Sequence, residues 1–130
     1  MNSEKARELQ WEWYRQLASL DRKVLAAQAT ETNLAAIQAF VAAQLPDHPL
    51  PPGLAGMEFA DAVLRLRQND RAWNRSLMEA LIRADDLVKE QNLPQAVATL
   101  RSFSSICPWR LYAEVALNQV DSYANGEPAQ

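Results

Sequence analysis

The sequence predicts an all-α fold, a single-domain bundle of five or six helices, two of them long. Three observations lead there. The 130 residues include only three glycines, too few for the tight turns of a many-stranded β protein. The chain is 48% apolar, and Ala, Leu, Gln, Glu and Arg, all strong helix formers, are plentiful. Apolar residues also recur at steps of three and four over most of its length, the spacing that lines one helix face.

The first helix is expected to open at Ser3, an N-cap followed by the acidic first turn "EKARE", and to run to about residue 29. Leu9, Trp13, Leu17, Leu20 and Val24 form its main apolar stripe. Trp11, Tyr14, Ala18 and Leu25 form a second, about 130° round the helix at 100° per residue. An ordinary surface helix carries one such stripe. This helix therefore lies centrally in a bundle or shows its second stripe to a partner.

Thr30 and Thr32 are candidate caps for a second helix over about 33–44, with Leu34, Ile37, Phe40 and Val41 inward. The stretch "LPDHPLPPGLAG" holds four of the seven prolines and two of the three glycines, so a loop is expected at about 46–56. From Met57 to Asn92 there is neither glycine nor proline. Phe59, Val63, Leu66, Asp70, Trp73, Leu77, Ala80, Ala84 and Leu87 keep heptad phase throughout, with Asp70 the one polar member. The unbroken phase favours one long helix over two helices capped at Asn69 or Asp70. Asp70 is then either a cap or a polar residue that sets the register.

Asn92 is expected to cap a further helix with Pro94 in its first turn, carrying Ala96, Val97, Leu100 and Phe103 inward to about Ile106. Pro108 should end that helix, because the residue before a proline is driven out of the α region. A last helix should reach about Tyr123, with a flexible tail over 125–130. Ala84, Ala96 and Pro108 lie twelve residues apart. That spacing resembles the small, alanine and proline positions of a tetratricopeptide hairpin over about a quarter of the chain. Ala80, Arg83 and Phe103 depart from that repeat's pattern. The resemblance implies antiparallel hairpins at the C-terminal end.

Composition removes several kinds of chemistry. One cysteine excludes an internal disulfide and a thiolate zinc site, and one histidine excludes any site needing two imidazoles. No phosphate-binding glycine loop and no nucleophile elbow occur. The charged start "MNSEKARELQ" lacks an apolar signal core, and no apolar run approaches the roughly 18 residues of a membrane span. A cytoplasmic location is expected, with no cofactor, no metal and no membrane partner. The formal net charge of −3 argues against bulk attraction to nucleic acid.

Cys107 sits before the last helix with Arg110 near it, a setting that can activate a thiol. Its only potential histidine base, His48, lies 59 residues away in the proline-rich loop, and a nucleophile normally has a base. Cys107 otherwise reads as a small apolar residue in a helix corner, and His48 as a solvated loop residue. The carboxylate pairs Asp85/Asp86, Glu58/Asp61 and Glu8/Glu12 all have cations nearby at helical spacing, which suits surface ion pairs.

The expected function is therefore non-enzymatic: a protein-interaction module such as an adaptor, dedicated chaperone or inhibitor. Its partner is another protein or a second copy in a homodimer. Trp11 and Tyr14, off the main stripe, are the candidate contact residues, since tryptophan and tyrosine dominate binding hot spots. Arg67, Arg71 and Arg75 climb one helix face at steps of four. They are the candidate grip for an acidic partner or, in the alternative reading, for nucleic acid. An enzyme centred on Cys107 is the third reading.

Overall fold

The computed structural model describes residues 2–125, with side chains from Glu4 onward. Residues 126–130, most of the expected tail, lie outside the described residues. The described chain is all-α: six helices and no strand. They gather into two compact units, Met1–Asn69 and Asp70–Gln130.

In the first unit, α1 spans Asn2–Ala18. The backbone at Ser3 is already helical, so the expected cap lies inside the first turn. The helix stops near residue 18 rather than 29. The Ser19 hydroxyl donates to the Gln16 carbonyl at 2.7 Å, and the Arg67 guanidinium donates to the Ala18 carbonyl at 2.7 Å. Both occupy carbonyls that a helix end leaves without partners. Asp21 then caps a new short helix, α2 (Arg22–Ala27), its carboxylate accepting from the Val24 amide at 3.0 Å. The expectation of two long helices is thus corrected to one, because an aspartate with cap geometry outweighs an apolar period that runs on through Leu20 and Val24.

Thr30 caps α3 (Glu31–Gln44), its hydroxyl accepting from the Asn33 amide. Ile37, Phe40 and Val41 point inward as expected. The proline-rich stretch is a loop, with Gly53 and Gly56 at φ of 73° and 52°, a region open to glycine at little cost.

The core of this unit is aromatic. Tyr14 stacks on Phe40 with centroids 4.3 Å apart and planes 11° from parallel. Trp11 meets Phe40 edge-on at 5.0 Å and Tyr14 at 5.6 Å. Such pairs add about 0.5–1.5 kcal/mol beyond the area they bury. Leu25 and Val63 complete the cluster of fully buried side chains, together with Phe59.

Helix α4 spans Met57–Lys89, 33 residues without a break. Its first turns belong to the first unit and its remainder to the second. Along the heptad seam Phe59, Val63, Leu66, Leu77, Ala84 and Leu87 are buried, while Asp70, Trp73 and Ala80 are half-buried. Asp70 sits in mid-helix, so it is no cap. It accepts a hydrogen bond from the Tyr112 hydroxyl.

Helix α4 closes at Gln91, which adopts φ 61°. The Asn92 amide reaches back to the Leu87 carbonyl at 2.8 Å and the Gln91 amide to Val88 at 2.9 Å, a Schellman closure built without glycine. Asn92 caps α5 (Leu93–Ile106). Cys107 is extended (φ −74°, ψ 121°), as a residue before proline must be. Pro108 stays outside the last helix, since α6 (Arg110–Ala124) starts after Trp109.

Helices α5 and α6 pack against each other as a hairpin with a three-residue joint. Ala96, Leu100, Phe103, Trp109, Ala116 and Val120 fill its interior. Ile106, expected inward, is 68% exposed, because the chain leaves the helix one residue later and turns the corner on Cys107 instead.

Candidate functional site

Trp11 and Tyr14 do not form an exposed stripe. Tyr14 is 1% exposed, and Trp11 is buried beside it. The Arg15 guanidinium lies 5.3 Å from the centre of the Trp11 ring, closing it over from the outside. The two apolar stripes of α1 are exchanged relative to expectation. Phe40 of α3 offers a flat face to Tyr14 and an edge to Trp11, and that partner decides which stripe is core.

The stripe expected to be core therefore reaches the surface. Leu9 is 57% exposed and Trp13 half-buried. They line a groove of about 430 Å³ between α1 and α3, with Ala6, Ala36 and Ala39 as its other apolar walls and Arg7 and Gln10 at its edge. On α3 the sequence "ETNLAAIQAFVAAQ" carries no charge after Glu31. Its side toward the groove is made of alanines, so the floor is smooth and low. The signal in the sequence was this alanine content together with a second tryptophan two residues from Trp11.

The arginines divide. Arg67 is half-buried and bound to the end of α1, so its role is structural. Arg71 and Arg75 are exposed on α4. Of the expected three-arginine stripe, two members stand at the surface.

A second exposed surface lies on α4 past these arginines. Met78 is 51% and Ile82 60% exposed. They border a groove of about 360 Å³ shared with α6, lined also by Leu81, Asp85, Asp86, Lys89, Gln119 and Tyr123. Lys89 pairs with Asp85 at 3.0 Å along the helix.

Cys107 is buried, and its S–H donates to the Trp109 carbonyl at 3.6 Å. Burial pushes the thiol pKa up, the opposite of what a nucleophile needs. His48 is exposed, its amide bonded to the Leu45 carbonyl. Asp61 is held by Arg22 through two hydrogen bonds, 2.7 and 3.2 Å long. Among the described residues, no three His, Cys, Asp or Glu groups gather to hold a metal ion. No helix among them is long and apolar enough to cross a membrane.

No family model matches the chain, and neither a curated protein nor a solved structure matches it significantly. The hairpin resemblance at Ala84, Ala96 and Pro108 thus goes no further than the packing of α5 on α6. Function is argued from the surfaces alone.

Proposed function

We propose that this protein is a non-enzymatic interaction module that receives an amphipathic helix of another protein in the groove between α1 and α3. The observation that carries the reading is the exposure of Leu9 and Trp13 beside the alanine face of α3. A furrow between two helices is the shape that seats a third, and apolar anchors at spacings of three and four are what it reads. Alanines let the incoming backbone approach closely. Trp13 supplies the kind of large, rigid contact that concentrates binding energy. With no charge on α3 beyond Glu31, the floor imposes little desolvation on an apolar partner face. The only cysteine is a free thiol, the state a reducing compartment maintains, which supports a cytoplasmic setting.

The test is affinity isolation from the native cell with three baits: the natural chain, Leu9→Glu and Ala39→Trp. Both substitutions are at exposed positions, so the thermal melts should match. A partner held by the natural chain should be lost by both variants, because one charges the groove and the other fills it. A partner kept equally by all three baits would sink the reading.

A further inference from the structure

Helix α4 carries a second heptad series besides its buried seam. Arg71, Arg75, Met78, Ile82, Asp85 and Lys89 follow one another at steps of four, three, four, three and four. That is the spacing of a coiled-coil seam. This series lies on the outside of the second unit. Arg71, Arg75, Met78, Ile82 and Lys89 are all exposed and Asp85 half-exposed. Nothing about core packing asks for such spacing on an exposed face.

The order of residues along this stripe points to its occupant. The N-terminal end carries two cations, Arg71 and Arg75. The middle is apolar, with Met78 and Ile82 flanked by half-buried Leu81. The C-terminal end carries Asp85 and Asp86 against the single cation Lys89. The stripe is therefore complementary to itself when reversed. Antiparallel coiled-coil pairing sets each position of one seam class against the other class, which here pairs residues whose numbers sum to 160. Met78 then faces Ile82 of the other copy, and Arg75 faces the other copy's Asp85. Arg71 comes to the acidic end, where Asp85 and Asp86 outnumber Lys89. A two-fold axis repeats every contact, the arrangement of an isologous dimer.

We infer that the exposed face of α4 between Arg71 and Lys89 is a homodimer interface, in which two copies of this helix pack antiparallel. The groove beside Met78 and Ile82 takes apolar side chains of the second copy. Glu79, on the flank of the stripe, meets its own counterpart across the axis and opposes the association. The stripe is also short, about 28 Å at 1.5 Å per residue, so the dimer belongs to the weak class that forms and dissociates with concentration. This interface is separate from the α1/α3 groove, and either stands without the other.

The test is sedentation equilibrium replaced by its standard form, sedimentation equilibrium of the full chain, over concentrations reaching the millimolar range. The natural chain should show a monomer–dimer equilibrium. Ile82→Glu should weaken it by more than about tenfold. Arg75→Glu alone and Asp85→Arg alone should each weaken it by roughly tenfold. The double variant Arg75→Glu/Asp85→Arg should recover the natural constant to within about threefold, since the reversed charges meet across the interface. On one helix these two residues are about 15 Å apart, so recovery cannot come from within a single copy. A chain that stays monomeric throughout overturns the inference. So does a dimer that the charge swap fails to restore, because a parallel dimer or another surface is then responsible. All three positions face solvent, and a thermal melt of each variant verifies the fold.

Discussion

The Tyr112 hydroxyl of α6 donates a hydrogen bond to the Asp70 carboxylate of α4. This places the one polar residue of the α4 seam opposite the one α6 side chain that can reach it with a donor. A bond to a charged acceptor contributes about 1.5–3 kcal/mol, and partial exposure puts this one toward the low end. Tyr112→Phe should therefore lower stability by about 1–2 kcal/mol. In an Asp70→Ala background the same change should cost far less. A double-mutant cycle by urea denaturation measures the difference, and equal costs in both backgrounds would mean that the bond contributes nothing.

The aromatic cluster of the first unit sets a contrast between two neighbouring tryptophans. Trp11 is packed edge-on against Phe40 and Tyr14, while Trp13 lines the open groove. Trp11→Ala should cost about 3–5 kcal/mol, as expected for a buried aromatic. Trp13→Ala should cost no more than about 1 kcal/mol. Chemical denaturation of the two variants side by side checks this, and a reversed order would return the Leu9/Trp13 stripe to the core.

That contrast shows where sequence reading succeeded and where it stopped. The α4 seam was legible because its apolar residues lie on one face, interrupted only by Asp70. The caps at Thr30 and Asn92 were legible because a side-chain acceptor three residues before an amide is a local arrangement. On α1 two stripes are equally apolar, so local periodicity cannot rank them. Phe40, more than twenty residues away in sequence, makes the choice by stacking on Tyr14. The break at Ser19–Asp21 was hidden for a similar reason: Leu20 and Val24 continue the period while Asp21 ends the helix. The groove was invisible because it consists of residues assigned to the core.

The Arg22–Asp61 pair ties α2 to α4 and gives stability a small dependence on acid. The hydrogen bond from Arg22 holds the Asp61 carboxyl below the ordinary aspartate value of 3.8. A carboxyl with a lowered folded-state pKa binds its proton more readily in the unfolded chain. Its contribution is thus complete above the unfolded pKa and is lost as pH falls through the folded one. Asp61→Asn should melt slightly below the natural chain at neutral pH. The gap should close below pH 3.8. Melting curves taken across that range decide, and a gap independent of pH would assign the effect to something other than ionisation.

Cys107 should behave as a structural thiol. Burial raises its pKa, so little thiolate forms near neutral pH, and the sulfur is shielded by the α5–α6 joint. A small thiol reagent should label the folded chain at least about tenfold more slowly than the chain in denaturant. Equal rates would show that the joint opens freely.

The left-handed corner at Gln91 has a consequence for how this protein tolerates heat. A side chain at φ 61° carries a steric cost of about 1–2 kcal/mol, which glycine avoids while giving up about 0.5–1 kcal/mol in unfolded-state freedom. Gln91→Gly should therefore raise the melting temperature by about 2–4 °C. The natural chain stops short of its own thermal optimum at a position far in sequence from the α1/α3 groove. Thermostability can be raised there with the proposed binding surfaces left intact, and a more heat-resistant form of this bundle is one substitution away.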